Sequence, residues 1–203
     1  MKLNQFFKLF LLLFLTACVS EFDEREIDYK KEFESLLKNF ENSSILNFEK
    51  ESIENKEFYL SFLEKLDPKK TYFYQTDLEV IKNNRSEGIF ENLKAITDLF
   101  YIRYEEALQT RKDLLWSHKF NFEIDEYLPR DPAYYFDNYT EMEDFNRKFL
   151  KNSIINQLLD EKDKNVVFSD LRQTYKDRIS SLNKMRASDK FGILANNFLS
   201  LLD

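Results

Sequence analysis

Glycine and proline are scarce in this chain, with two and three in 203 residues. Folds built from tight hairpins use both residues at their turns, so the scarcity argues against an all-β architecture and for long helices. Cysteine occurs once, at Cys18, which excludes an internal disulfide. Histidine also occurs once, at His118, beside Trp116 and with no convergent cysteine or carboxylate pattern. No H-E-x-x-H, C-x-x-C or glycine-rich phosphate loop is present, so zinc and nucleotide chemistry lack their usual parts. A Ser-His-Asp triad would rest on that single histidine, with no G-x-S-x-G to present a nucleophile. A basic stripe is missing too. Acidic and basic side chains are interspersed at a net charge of −7, which argues against nucleic acid as a partner.

Rings and charges are abundant instead. The chain carries 21 Phe and 11 Tyr, and is 43% hydrophobic and 33% charged. That balance suits an amphipathic helical protein, and the length suits one domain with a sizeable core. The rings read as core filling rather than as a ligand cage.

The N-terminus, MKLNQFFKLFLLLFLTAC, has Lys2 and Lys8 ahead of an unbroken apolar run, Leu9 to Leu15. The run is too short to span a bilayer as a mature helix and has the length of a secretory signal. Leu15-Thr16-Ala17-Cys18 resembles the bacterial lipobox. The resemblance implies removal of residues 1–17, a thioether-linked diacylglycerol on Cys18, and usually a third acyl chain on the new amino group. Two or more chains anchor stably, because each buried methylene contributes roughly 0.8 kcal/mol. Losing Lys2 and Lys8 takes the formal charge from −7 to −9. Val19 rather than aspartate after the cysteine favours, by the enteric sorting rule, the outer membrane, with the protein facing the periplasm. An ordinary signal peptide is the plainer alternative.

Residues 18–28 form a polar, acidic tether, and a helical domain follows over 29–203. Apolar residues recur at helical spacing in Phe33, Leu36, Leu37 and Phe40, then in Phe58, Phe62, Leu63 and Leu66. Asp67-Pro68 closes the second run, since the residue before proline is pushed out of the helical region. Thr76-Asp77-Leu78-Glu79 and Thr140-Glu141-Met142-Glu143 have capping-box spacing, which puts helix starts at Thr76 and Thr140. Ser86 and Ser188 are candidate caps for two more. The longest stripe runs from Ile89 to Trp116 and must pack on neighbours. Residues 117–139, with Pro129 and Pro132, break the pattern; they read as an irregular aromatic connection, with alternation at 119–124 that suggests a short extended pair. Further helices follow through Phe145–Leu159, Phe168–Leu182 and Phe191–Leu202. The fold class is therefore all-α, a multi-helix single domain after a cleavable signal peptide.

Catalytic candidates are weak. A Ser-Lys dyad needs a desolvated, neutral lysine, whereas Ser180 and Lys184 fall on a solvated helix face. Glu105-Glu106 and Asp160-Glu161 read as solvated faces as well.

Several strings together resemble one family. Leu66 to Asp77 (LDPKKTYFYQTD) is similar to the L-D-P-x-x-x-Y-F-x-x-x-D string in the N-terminal domain of tail-specific (carboxyl-terminal processing) proteases. Phe120-Asn121-Phe122 with Asp125-Glu126 resembles that family's F-x-F…D-E stretch. Glu143 to Asn152 (EDFNRKFLKN) resembles its E-x-x-W-x-x-R-x-K-x segment, with Phe145 where a tryptophan is common. Tyr175 to Asp203 resembles its R-Y…S-E-D-x-F…F-x-x-x-x-D-P-H run, with Ser188, Asp189 and Phe191 on the S-x-D-x-F part. The resemblance transfers no catalytic residue, metal ligand or cofactor. The motif positions it marks, Leu66, Asp67, Pro68, Tyr72, Phe73, Asp77, Tyr175, Ser188, Asp189, Phe191 and Asp203, are structural ones, and the Leu66–Asp77 segment is expected to act as an orienting turn.

In the family this helical domain is a platform around the protease that limits substrate access and, in some members, docks an adaptor. PDZ and Ser/Lys protease domains follow it there, and FLSLLD (198–203) falls where the hand-over to the PDZ domain would begin. The resemblance implies a non-catalytic domain of a periplasmic tail-specific protease, truncated before its chemistry. Its partners would be the membrane, through the lipid, and a periplasmic protease, an adaptor or a substrate tail. A stand-alone envelope lipoprotein with a binding or structural role is the alternative.

Overall fold

The computed structural model describes residues 27–42, 55–83, 88–117, 120–126, 128, 134–160 and 163–202. Cys18, Ser86, His118, Pro129, Pro132 and Asp203 lie outside the described residues. Seven helices occur among those described: α1 Tyr29–Asn42, α2 Lys56–Leu66, α3 Gln75–Asn83, α4 Ile89–Ser117, α5 Tyr139–Leu159, α6 Lys164–Asn183 and α7 Ala187–Leu199. No helix among them is long and apolar enough to cross a membrane. The expected all-α fold is what forms. The extended pair suggested at 119–124 does not form: the described part of that stretch, from Phe120, is irregular. The one bridge among the described residues joins Tyr74 and Phe136 in parallel.

The helix starts differ from the spacing in a consistent way. Thr76, Thr140 and Ser188 each sit at the second position inside a helix, not at its cap. In each case an acidic side chain at the third position takes over the start. Asp77 accepts the Tyr74 N–H at 2.9 Å, Glu141 the Asp137 N–H at 2.7 Å, and Asp189 the Arg186 N–H at 3.1 Å. A carboxylate accepts a stronger hydrogen bond than a hydroxyl and complements the positive end of the helix dipole. Amide and acid caps set other starts. Asn55 accepts from Phe58 N, Asn138 from Glu141 N, and Asp163 from Asn165 N and Val166 N.

Helix α4, about 43 Å long at 1.5 Å per residue, is the spine. Its first half shares a core with α1, α2 and α7 through Phe33, Phe62, Leu63, Leu93, Ile96, Leu194 and Phe198. Its second half shares another with α5 and α6 through Leu108, Leu115, Leu150, Ile154, Val167 and Tyr175. A smaller cluster of Tyr74, Ala107, Phe136 and Met142 sits beside the α3 start. The rings fill the first core edge to face, as the aromatic quadrupole favours. Phe198 lies 4.9 Å from Phe33 and 5.9 Å from Phe58, so one side chain of α7 clasps α1 and α2.

Phe198 is fully buried and Val166 half exposed. Phe198→Ala should therefore lower stability by about 3–5 kcal/mol and Val166→Ala by no more than about 0.5 kcal/mol. Urea denaturation of the two variants measures the difference.

Candidate functional site

Two buried carboxylates organise the junction between α2 and α3. Leu66 ends α2 inside the first core, and Asp67 follows at 1% exposure, its N–H still bonded to Leu63 O at 3.0 Å. Pro68 is exposed, and its fixed φ suits the second position of the turn that Lys70 N closes on Asp67 O at 3.0 Å. Lys70 occupies the left-handed region at φ 50°. The chain then wraps around the Asp67 carboxylate. Oδ1 accepts Thr71 N at 2.8 Å and Thr71 Oγ1 at 3.2 Å. Oδ2 accepts Tyr72 N at 2.8 Å and Phe73 N at 3.3 Å. A buried carboxylate persists only when so satisfied.

Ten residues on, Asp77 does the same work from inside α3. It holds Tyr74 N and receives a two-pronged ion pair from Arg103 of α4, with Nε and Nη2 each at 2.8 Å. The Arg103 guanidinium lies 4.4 Å from the centre of the Tyr74 ring, and its Nη1 donates to Glu106 at 3.0 Å. Hydrogen bonding from Asp77 first, and its charge next among the favourable causes, holds Arg103 deeper in its charged range. Gln75 N donates to Phe136 O at 2.8 Å, which ties the far side of the turn to the segment entering α5. Phe73 is fully buried. Tyr72 packs on α4, edge-on to Phe100 at 5.8 Å and Tyr104 at 5.2 Å, rather than between α2 and α3. Burial raises its hydroxyl pKa.

A second clamp joins two of the other family-like strings. Glu126 takes Arg147 Nη2 at 2.5 Å and Nη1 at 2.9 Å, and Lys151 Nζ at 2.8 Å. Lys151 is buried and also donates to Ile124 O. These bonds, Arg147 first and Lys151 second, hold the Glu126 carboxyl down at about 2 against an ordinary 4.5. Phe120 closes the upstream end against Phe168 of α6, 5.8 Å away.

The remaining motif residues are not gathered at one place. Tyr175 is buried in the second core. Ser188 is half-buried in the first turn of α7, and Asp189 beside it is exposed and paired with Arg186 at 3.2 Å. Phe191 packs on Tyr29 of α1 at 5.0 Å. Ser180 and Lys184 are both exposed near the end of α6, and Asp160 is exposed after α5. Glu105 and Glu106 are half-buried, and Glu106 belongs to the Arg103 network rather than to a solvated face.

Arg103, Arg111 and Lys151 escape a motif search because their partners lie 26, 35 and 25 residues away in sequence. A signal for the two arginines was present. Both fall at helical spacing from Phe100, Ala107 and Leu108, so they are cations on the apolar stripe of α4, where a charge needs a buried partner.

Asp67→Ala would strand three backbone N–H groups and cost about 3 kcal/mol or more. Asp98→Ala, which removes an exposed i,i+4 pair with Lys94, would cost under about 1 kcal/mol; chemical denaturation of both variants compares them. Glu126 supplies a pH signature. Its folded pKa is depressed, so its contribution is complete above the unfolded value and is lost as pH falls toward the folded one. Melting curves of wild type and Glu126→Gln should differ above pH ~5 and converge by pH ~2.

A comparison with curated proteins gives no match. A family model described as the tail specific protease N-terminal domain matches residues 48–203, a span that holds α2 to α7 and both carboxylate clamps. The chain therefore belongs to the tail specific protease N-terminal domain family.

Proposed function

We propose that this domain is a non-catalytic platform in a tail-specific protease system, limiting substrate access or docking an adaptor, and held at the cell envelope by a lipid on Cys18. The observation that carries the reading is the use made of its charged side chains. Asp67 and Asp77 hold backbone and helix starts, and Arg103, Glu126, Arg147 and Lys151 bind segments of the domain to each other. General acid–base or nucleophilic chemistry calls for groups poised toward a substrate with perturbed protonation. These groups are instead committed to building a rigid helical surface. The exposed positions of Ser180 and Lys184 favour the same view, since a Ser-Lys dyad needs a desolvated lysine.

The lipobox-like Leu15–Cys18 supports anchoring facing the periplasm, with the outer membrane favoured by Val19. Two architectures fit: the front of a protease whose PDZ and Ser/Lys domains are encoded downstream, and a separate lipoprotein that meets its protease or adaptor in the envelope. A long read of the native locus beyond codon 203 separates them.

The purified protein should release no labelled tail from a C-terminally tagged peptide, and should retain an envelope protease or its adaptor from detergent-solubilised membranes. Tail release by the protein alone overturns the non-catalytic reading. Retention of neither partner leaves a purely structural lipoprotein. Cells fed an alkyne-bearing fatty acid should label the wild type and not Cys18→Ser.

A further inference from the structure

Arg111 is a buried cation with no opposite charge paired to it among the described residues. It lies on α4 at 5% exposure, with Nε donating to Asn146 Oδ1 at 2.6 Å. Asn146 is fully buried, and its amide is fixed in turn by Met142 O at 2.9 Å. The ring of Phe149, one-third exposed, lies 4.6 Å from the guanidinium carbon. Among the described residues no carboxylate pairs with Arg111, and its Nη1 and Nη2 donate to nothing. The comparison within the domain is direct: Arg103 has Asp77 and Glu106, and buried Lys151 has Glu126. At 5% exposure a small part of the Arg111 side chain still meets solvent.

A guanidinium cannot shed its proton, so burial without a counter-charge is a standing cost. The occupant that removes it must be an anion. With Nε held by Asn146, the free edge is the Nη1–Nη2 pair, whose two parallel donors match the two oxygens of a carboxylate. A phosphate fits less well: one cation among aromatic rings, in a protein of net charge −7, leaves its second charge unanswered.

We propose that Arg111 is a receptor for a single carboxylate supplied from outside the domain, gripped by Nη1 and Nη2 beside the Phe149 ring. This deepens the docking reading by naming the chemistry of what docks. It relies on that reading only for the partner's identity, since the receptor itself stands on Arg111.

The test uses the purified protein and small probes, so its result is independent of any envelope partner. Melting temperature is followed at neutral pH against sodium acetate and against sodium chloride at equal ionic strength. Two tripeptides serve as further probes: acetyl-Ala-Asp-Ala-amide offers only a side-chain carboxylate, and acetyl-Ala-Ala-Ala only a terminal one. A saturable rise with at least one carboxylate, absent in chloride, is expected, and the tripeptide that acts at lower concentration identifies the source. Arg111→Lys keeps the charge and loses the fork, and should weaken the response by about tenfold. Equal melting of the wild type in all four solutes overturns the proposal, and no variant is needed to see it. An undiminished response in Arg111→Lys overturns it too.

Discussion

The structure depends on the way two short acidic side chains hold backbone. Asp67 and Asp77 are ten residues apart and both buried. Between them the chain leaves one helix, turns through a left-handed lysine and begins another without the support of a regular hydrogen-bond ladder. Its N–H groups need acceptors, and Phe73 and Tyr74 are buried from water. The carboxylate of Asp67 supplies acceptors for three consecutive residues, and that of Asp77 supplies one more while anchoring to Arg103. Removing either acid leaves donors stranded in an apolar setting, and the loss cannot be recovered by local rearrangement.

From that junction the remaining order follows. Asp77 and Arg103 fix the start of α3 against the middle of α4. The Gln75–Phe136 bond then brings the entry of α5 to the same place, where Tyr74, Ala107, Phe136 and Met142 close a small cluster. Glu126 repeats the device further along, with two cations of α5 clasping the irregular segment before it. The strings that resemble the family, from Leu66 to Asp77, around Glu126 and from Glu143 to Asn152, are in large part the places where an acid holds irregular chain to a helix. The proposed platform role would draw on this property, because a surface that gates or docks must keep its shape when a partner presses on it. Arg111 fits the same logic with its second half missing, a cation set in place and left open at one edge.

Much of this was legible in sequence. The scarcity of glycine and proline, the amphipathic stripes and the Asp67-Pro68 stop gave the helix count and most helix ends. The stripe from Ile89 to Trp116 gave the spine. Caps at Thr76, Thr140 and Ser188 fall two residues past the true ones, because the spacing rule credits a hydroxyl where a nearby carboxylate accepts more strongly. Alternation at 119–124 suggested extended pairing, but Phe120 is drawn to Phe168 and Glu126 to α5, so that stretch packs on helices instead of pairing with itself.

What the sequence by itself determined was the set of helices, because periodicity and turn chemistry are local and readable over a few residues. Which partner each charged side chain meets was decided only by the tertiary structure. Arg103 with Asp77, Lys151 with Glu126 and Arg111 with Asn146 are all pairs more than twenty residues apart. A charge on an apolar stripe announces that it needs a partner, but burial and proximity, which exist only after helices pack, settle whether it finds one.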